Sequence, residues 1–255
     1  MDFSIHDELA KFNKVKFDED THAYTVDKIR LNSVTRIVGT TEFFDELTIA
    51  TKKAESMGVP VQVILDKWHR TSEYARLKGT EMHSHIENLW LNKKYKFRTF
   101  DEYPEIIIEL GVLTEQYETF YLAARKIMDL IIAEFRVYDI EYRVAGTFDG
   151  LFYNKVNNCY DIWDWKTSAE IKKTGFKGEK LIGFPHLEAC NFNTYALQLS
   201  IYKFIIERNT NIKIRNLHIC QISTLNKSFN AFRVPYLKTE AIQLLEKNKK
   251  EMTCE

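Results

Sequence analysis

Two carboxylates stand in neighbouring segments of alternating sequence. Asp149 comes near the end of Val144-Ala145-Gly146-Thr147-Phe148-Asp149-Gly150, and Asp164 lies inside Tyr160-Asp161-Ile162-Trp163-Asp164-Trp165-Lys166-Thr167. Side chains two apart on a strand share a face, so Asp164 and Lys166 point with Ile162 while Trp163 and Trp165 point the other way. A turn at Val156-Asn157-Asn158 brings Asp149 opposite Asp164, or one rung from it. Carboxylates this close on a part-buried face repel and stay ionised only beside a cation. Lys166 brings one positive charge. One or two divalent ions would bring the rest, and hard oxygen ligands favour Mg²⁺ or Mn²⁺. The plainer alternative is a buried Asp–Lys ion pair beside an unrelated turn aspartate.

The elements that must position these groups follow from the periodicity. Residues 15–26 alternate loosely and predict a strand pair turning near Asp18-Glu19-Asp20. Ser33-Val34-Thr35 reads as an N-cap and helix start. Residues 44–70 read as helix broken at Gly58-Val59-Pro60. Residues 72–90 read as a second helix and 103–130 as a third. From residue 131 the pattern changes. Residues 131–138, 142–153 and 160–166 predict three consecutive antiparallel strands, followed by a connection at 168–190. A helix at 192–207, strands at 212–223 and 229–236, and a charged helix at 238–250 complete the chain. The expectation is an α/β fold with a mixed β-sheet flanked by helices, and an N-terminal, mostly helical extension over 1–130 integrated with a core at 131–255.

Asp149 and the Asp164-Trp165-Lys166 triplet resemble the D…(D/E)-x-K signature of the PD-(D/E)xK nuclease superfamily, with Phe148 where many members have Pro. Gly79-Thr80-Glu81-Met82-His83 is similar to the G-x-x-x-H motif of its RecB-like and lambda-exonuclease-like branches. Gln198-Leu199-Ser200-Ile201-Tyr202 is similar to their Q-x-x-x-Y motif, with Tyr195 an added aromatic one turn earlier. The segment 31–38 and the run Asp164-Trp165-Lys166-Thr167-Ser168 further resemble the family of the mitochondrial genome maintenance exonuclease and its phage relatives. The ordered set covers about residues 15–210. Residues 170–191 depart from the pattern as a long insertion.

The resemblance implies a restriction-endonuclease-like core and a metal-dependent DNA exonuclease acting on single-stranded DNA or DNA ends. It implies His83, Asp149, Asp164 and the Trp165 backbone carbonyl as metal ligands, and Lys166 as the group that orients or deprotonates the attacking water. Desolvation and the metal are expected to depress the Lys166 pKa for that task. His83 and His85 cannot share a helix face, and the motif selects His83. Glu87, one turn after His83, supports the ligands or is a solvated helix charge. Glu134 is a further acidic member of the site or a solvent-facing strand residue. Gln198 and Tyr202 brace the sheet or touch DNA, and Tyr195 and Thr167 are placed in the same outer set. By analogy Ser33 and Thr35 bind a backbone phosphate; as an N-cap, Ser33 needs no such role.

The rest of the sequence narrows the alternatives. Its 255 residues, 45% hydrophobic and 28% charged, are enough for a full core. Its 36 basic and 36 acidic residues exclude a uniformly basic coat and leave room for a local basic groove. Cys159, Cys190, Cys220 and Cys254 are too dispersed for zinc or an iron–sulfur cluster and read as reduced thiols. His6, His22, His69, His186 and His218 have no metal spacing. Residues 93–98 and 172–180 interleave Lys and Arg with Tyr95, Phe97 and Phe176, a pattern that suits single-stranded DNA when it is not simply solvated. The opening residues read as neither a signal nor a transit peptide, and no apolar run spans a bilayer. The expected setting is cytoplasmic, that of a viral or phage enzyme working with replication or recombination proteins, rather than mitochondrial. Oligomeric state stays open. A duplex-end resecting ring, a structure-selective endonuclease and a catalytically silent nucleic-acid-binding scaffold are the competing readings.

Overall fold

In the computed structural model, which describes residues 4–19, 21, 23–42 and 45–253, the chain opens with α1 (Ile5–Ala10), β1 (Lys16–Asp18), β2 (Ala23–Val26) and β3 (Ile29–Ser33). Four helices follow: α2 (Val34–Gly39), α3 (Glu46–Met57), α4 (Val61–Trp90) and α5 (Ile106–Ala124). Next come β4 (Met128–Asp139), β5 (Val144–Asn154) and β6 (Cys159–Lys166), then a small hairpin of β7 (Lys180–Leu181) and β8 (Phe184–Glu188). The chain ends with α6 (Asn191–Asn209), β9 (Ile214–Gln221), β10 (Asn230–Val234) and α7 (Lys238–Thr253). Asp20, His22 and Cys254 lie outside the described residues.

The fold is α/β. One mixed eight-stranded sheet runs β1-β2-β3-β5-β6-β9-β10, with β4 added against β5. On one face α6 and α7 pack Leu197, Ile201, Ile205 and Leu245 against Phe148, Leu151, Ile162 and Ile219. On the other, α4 and α5 pack Met82, Ile86, Leu113 and Tyr117 against Phe152, Trp165 and Cys220. Each of these side chains is nearly or wholly buried, and truncating one such leucine to alanine costs about 2–5 kcal/mol.

The topology opens the sheet at one place. β4 covers one edge of β5 from Asn154 back to Val144. The other edge is divided: β3 pairs in parallel with Val144 and Ala145, and β6 pairs antiparallel from Gly150 onward. Between them, residues 146–149 take no strand partner on that edge among the described residues. β6 meanwhile stays in the sheet by parallel pairing with β9 up to Lys166. The result is a fork between β5 and β6, and Tyr202 of α6 lies against it. A Cβ added at Gly146 would sit 2.8 Å from the Tyr202 ring, so glycine is what lets the ring approach.

Three expected boundaries differ. Residues 61–90 form one helix, because nothing near 70–72 breaks it; the Thr71 hydroxyl bonds back to the Lys67 carbonyl instead of capping a new start. The helix expected to reach 130 stops at Ala124, and β4 starts at Met128. A bulge between Leu130 and Ile132 hides that strand's alternation. The division at 130/131 therefore falls within β4. A third N-terminal strand, β3, joins β5, and the break at Gly58 is a left-handed helix cap with φ +65°.

Candidate metal centre

The fork collects the charged residues. Asp149 is the last β5 residue before pairing with β6 begins, and its Oδ2 accepts the Trp165 amide at 2.6 Å. Gly150 faces Trp163, so Asp149 and Asp164 occupy the next rung. Asp164 and Lys166 share the α6 side of β6. Their charged atoms are 2.6 Å apart, and the Lys166 ammonium sits 4.6 Å above the Tyr195 ring. Trp163 and Trp165 turn to the other face, as alternation requires.

From that other face α4 delivers His83. Its Nδ1 lies 3.4 Å from Glu134 Oε1 and 3.6 Å from Asp149 Oδ1, and its Nε2 lies 3.1 Å from the Trp165 carbonyl oxygen. Ligand atoms of His83, Glu134 and Asp149 all fall within 4.8 Å of one another. Glu134 reaches the cluster from β4 with φ +45°, a left-handed backbone that glutamate rarely adopts. Strain of this kind concentrates at functional sites. His85, two residues on, points elsewhere: its ring stacks at 5.2 Å on Phe97 and burial lowers its pKa.

The electrostatics are those of a site short of positive charge. Three carboxylates, from Glu134, Asp149 and Asp164, meet one ammonium and one imidazole. Burial pushes Asp164 up to about 6, against the pull of Lys166 and with help from Asp149. Burial also raises Asp149, opposed by His83 and reinforced by Glu134. Burial alone would lower His83, but Asp149 and then Glu134 outweigh it and lift the imidazole to about 9. Asp164 Oδ2 is fully buried with no hydrogen bond of good geometry, leaving the off-axis ion pair to Lys166 as its compensation. One imidazole and several carboxylate oxygens around an under-compensated buried charge fit a hard divalent cation. His83, Asp149 and Glu134, with the Trp165 carbonyl beside His83 Nε2, are the groups that would hold it; Asp164, paired with Lys166, lies outside the set whose ligand atoms fall within 4.8 Å of one another.

Burial presses the Lys166 pKa down, as expected, but without an ion Asp164 and then Asp149 outweigh burial and raise it; the expected lowering rests on the charge of the metal.

The outer residues divide. Gln198 Nε2 lies 3.4 Å from the Tyr202 hydroxyl, and Tyr202 is 1% exposed, so it braces the fork and offers no surface to DNA. Thr167 Oγ1 would touch a Cβ on Gly79 at 3.6 Å, which places the strand end against α4. Ser33 caps α2 by accepting the Arg36 amide at 3.0 Å, and its Oγ lies 3.0 Å from Thr35 Oγ1. Glu87 lines a separate cavity with Trp90 and Met128. Among the other histidines, His218 stacks on Trp163 at 4.4 Å and His186 pairs with Glu240. Cys159, Cys190 and Cys220 are free thiols.

Glu81 went unnoticed in the sequence. It is wholly buried inside the Gly79–His83 segment and binds the basic loop. Its Oε2 accepts the Tyr95 hydroxyl at 2.9 Å and the Arg98 amide at 2.8 Å, and its Oε1 pairs with Arg98 Nε at 2.5 Å. The visible signal was an acidic residue on the apolar face of a helix, two before His83.

No helix among the described residues is long and apolar enough to cross a membrane. No protein-family profile matches the chain, and no curated protein matches it. The chain is weakly similar to the crystal structure of SSO0001, at 14% identity over 68% of this chain and 83% of that one. The TM-score of 0.32 for that pair carries no argument about fold or function.

Proposed function

We propose that this chain is a metal-dependent nuclease of the PD-(D/E)xK type, with a restriction-endonuclease-like core. It would hydrolyse phosphodiester bonds of DNA, acting as an exonuclease on single strands or ends. The observation that supports this reading is the meeting of His83, Glu134 and Asp149 at the fork, with the Asp164–Lys166 pair on the adjoining strand. A part-buried set of this kind is costly to keep uncompensated and suits a cation that brings a phosphate with it.

Bound Mg²⁺ or Mn²⁺ would polarise the phosphodiester and lower the pKa of bound water. The protein's own groups do the rest. His83 would hold the ion as a neutral ligand, its proton given up to solvent. Asp149 is held in place by the Trp165 amide. Lys166, positioned between Asp164 and the Tyr195 ring, offers its ammonium protons to the scissile phosphate and the attacking water. That placement suits charge neutralisation and orientation of the water.

The test is incubation with Mg²⁺ or Mn²⁺ and labelled linear single-stranded DNA, circular single-stranded DNA, linear duplex and single-stranded RNA, with Lys166→Ala as control. Degraded linear strands, intact circles and a dead variant support the exonuclease. Cut circles make the enzyme an endonuclease. Binding without cutting by either protein returns the chain to the scaffold reading.

A further inference from the structure

The insertion between β6 and α6 has no role in the metal centre, yet it is built with care. Lys172 N donates to Asn191 Oδ1 at 2.7 Å, and Asn191 Nδ2 donates to the Glu170 carbonyl at 2.8 Å. Gly175 N donates to Glu188 Oε2 at 3.0 Å, and Lys180 forms an ion pair with the same carboxylate. The Ala189 amide bonds the Glu179 carbonyl at 2.8 Å, and the Ile182 amide bonds the Thr41 carbonyl at 2.7 Å. A Cβ at Gly175 would collide with the Glu179 carbonyl, so glycine is required there. Lys177 at φ +51° and Gly178 at φ +78° then close a tight left-handed turn.

What this framework holds out is Phe176, 71% exposed. It is the one exposed Phe, Tyr or Trp side chain among the described residues. A bare ring on a pinned loop gains nothing for folding. Around it lies a cavity of about 920 Å³ lined by Lys172, Lys173 and Lys177, with Glu42 and Glu170 at its wall. Lys173 is held 5.3 Å from the Phe192 ring and Lys177 5.3 Å from the Phe176 ring, so two of the ammonium groups are positioned by aromatic faces. Only three residues lie between Lys166 and Glu170, so the groove's wall begins at most about 14 Å of extended chain from the metal centre. Tyr195, which carries Lys166, is one turn into α6 from Asn191.

We propose that Phe176 with Lys172, Lys173 and Lys177 forms a subsite for single-stranded DNA, the ring stacking on one base and the lysines meeting the flanking phosphates. This rests on the nuclease reading for its choice of polymer. Alternating ring and charge matches alternating base and phosphate. A duplex hides its base faces, and an acidic peptide would use the lysines without the ring.

The experiment is equilibrium binding of a fluorescein-labelled single-stranded 20-mer of thymidine to the full chain in chelator, where cleavage does not intervene. The proteins are the unaltered chain, Phe176→Ala, Phe176→Trp and the triple variant Lys172→Ala/Lys173→Ala/Lys177→Ala. A matched duplex is the control. Phe176→Ala is expected to weaken single-strand binding about 5- to 150-fold, with Phe176→Trp restoring it and duplex affinity unmoved. The triple variant is expected to reduce the slope of log K against log salt by about 2, roughly 0.7 for each phosphate no longer neutralised. Unchanged single-strand binding by Phe176→Ala, or an equal loss on the duplex, overturns the subsite. Cleavage assays separate this from the parent reading. Cleavage with binding indifferent to Phe176 sinks the subsite alone, and Phe176-dependent binding without cleavage sinks the nuclease alone.

Discussion

Two acidic centres meet α4 within two residues of each other, at Glu81 and at His83, and they are built to opposite rules. Glu81 is wholly buried and fully answered, by a guanidinium, a phenol and a backbone amide. The cluster around His83 joins buried Asp149 and Asp164 to part-buried His83 and Glu134, yet its carboxylates outnumber its cations, and one of its oxygens lacks a well-formed hydrogen bond. A satisfied buried charge holds a loop. An unsatisfied one waits for a ligand. Burial of charge alone marks neither; the surplus does.

The strongest way to break this contrast is catalytic. Asp149→Asn should lower metal-dependent cleavage of linear single-stranded DNA by about 10²–10³-fold or more, while Glu81→Gln should leave the rate within a few-fold. Comparable losses in kcat from both substitutions would erase the distinction.

Thermal stability with and without metal is the next test. Mg²⁺ or Mn²⁺ at about 100 times its Kd should stabilise the unaltered chain and Glu81→Gln by about 2.7 kcal/mol each. Asp149→Asn should gain little. An equal metal-induced rise in Tm for Asp149→Asn would mean that the ion binds elsewhere.

Without metal the order reverses. Glu81→Gln removes the acceptor charge for three donors and should cost about 1–3 kcal/mol, or roughly 2–12 °C in Tm. Asp149→Asn relieves repulsion and should cost less. A metal-free melting curve in which Asp149→Asn is the weaker protein contradicts the surplus-charge account.

Proton linkage sharpens the contrast further. The His83 imidazole, raised to about 9, keeps its proton below that pH and must lose it to bind an ion. Metal binding at pH 7 should therefore release close to one proton, and apparent affinity should climb with pH until about 9 and then level off. Titration calorimetry in buffers of different ionisation enthalpy reads this directly; no proton release would remove His83 from the ligand set.

The last test concerns the fork itself. Gly146→Ala puts a methyl 2.8 Å from the Tyr202 ring and 3.1 Å from Val34. We expect a cost of about 1–3 kcal/mol, seen as a lower Tm. Unchanged stability would mean that Tyr202 does not brace the open edge.

The strands carrying Asp149 and Asp164 were legible because alternation and an Asn-Asn turn are local signals, and they set the register that puts the two residues on one rung. The faces of Lys166 and Trp165 followed from the same period. Glu134 was legible only as a possibility. Its approach to His83 depends on a φ of +45°, which no residue pattern announces. Glu81 could be seen on an apolar helix face, but its partners lie 14 and 17 residues away in an irregular loop.

The sequence by itself determined the elements, the order of the charged residues along them, and the face each presents, because these depend on chemistry within a few residues. The tertiary structure decided the rest. Parallel pairing of β3 with the start of β5, on the edge that β6 joins only from Gly150, opened the fork. Packing α4 across the Trp165 face carried His83 to the Trp165 carbonyl. Burial then raised Asp164, while the approach of Asp149 and Glu134 raised His83 against its own burial. Desolvation and Coulomb forces act through space, so their outcome exists only once distant segments have been brought within a few ångströms.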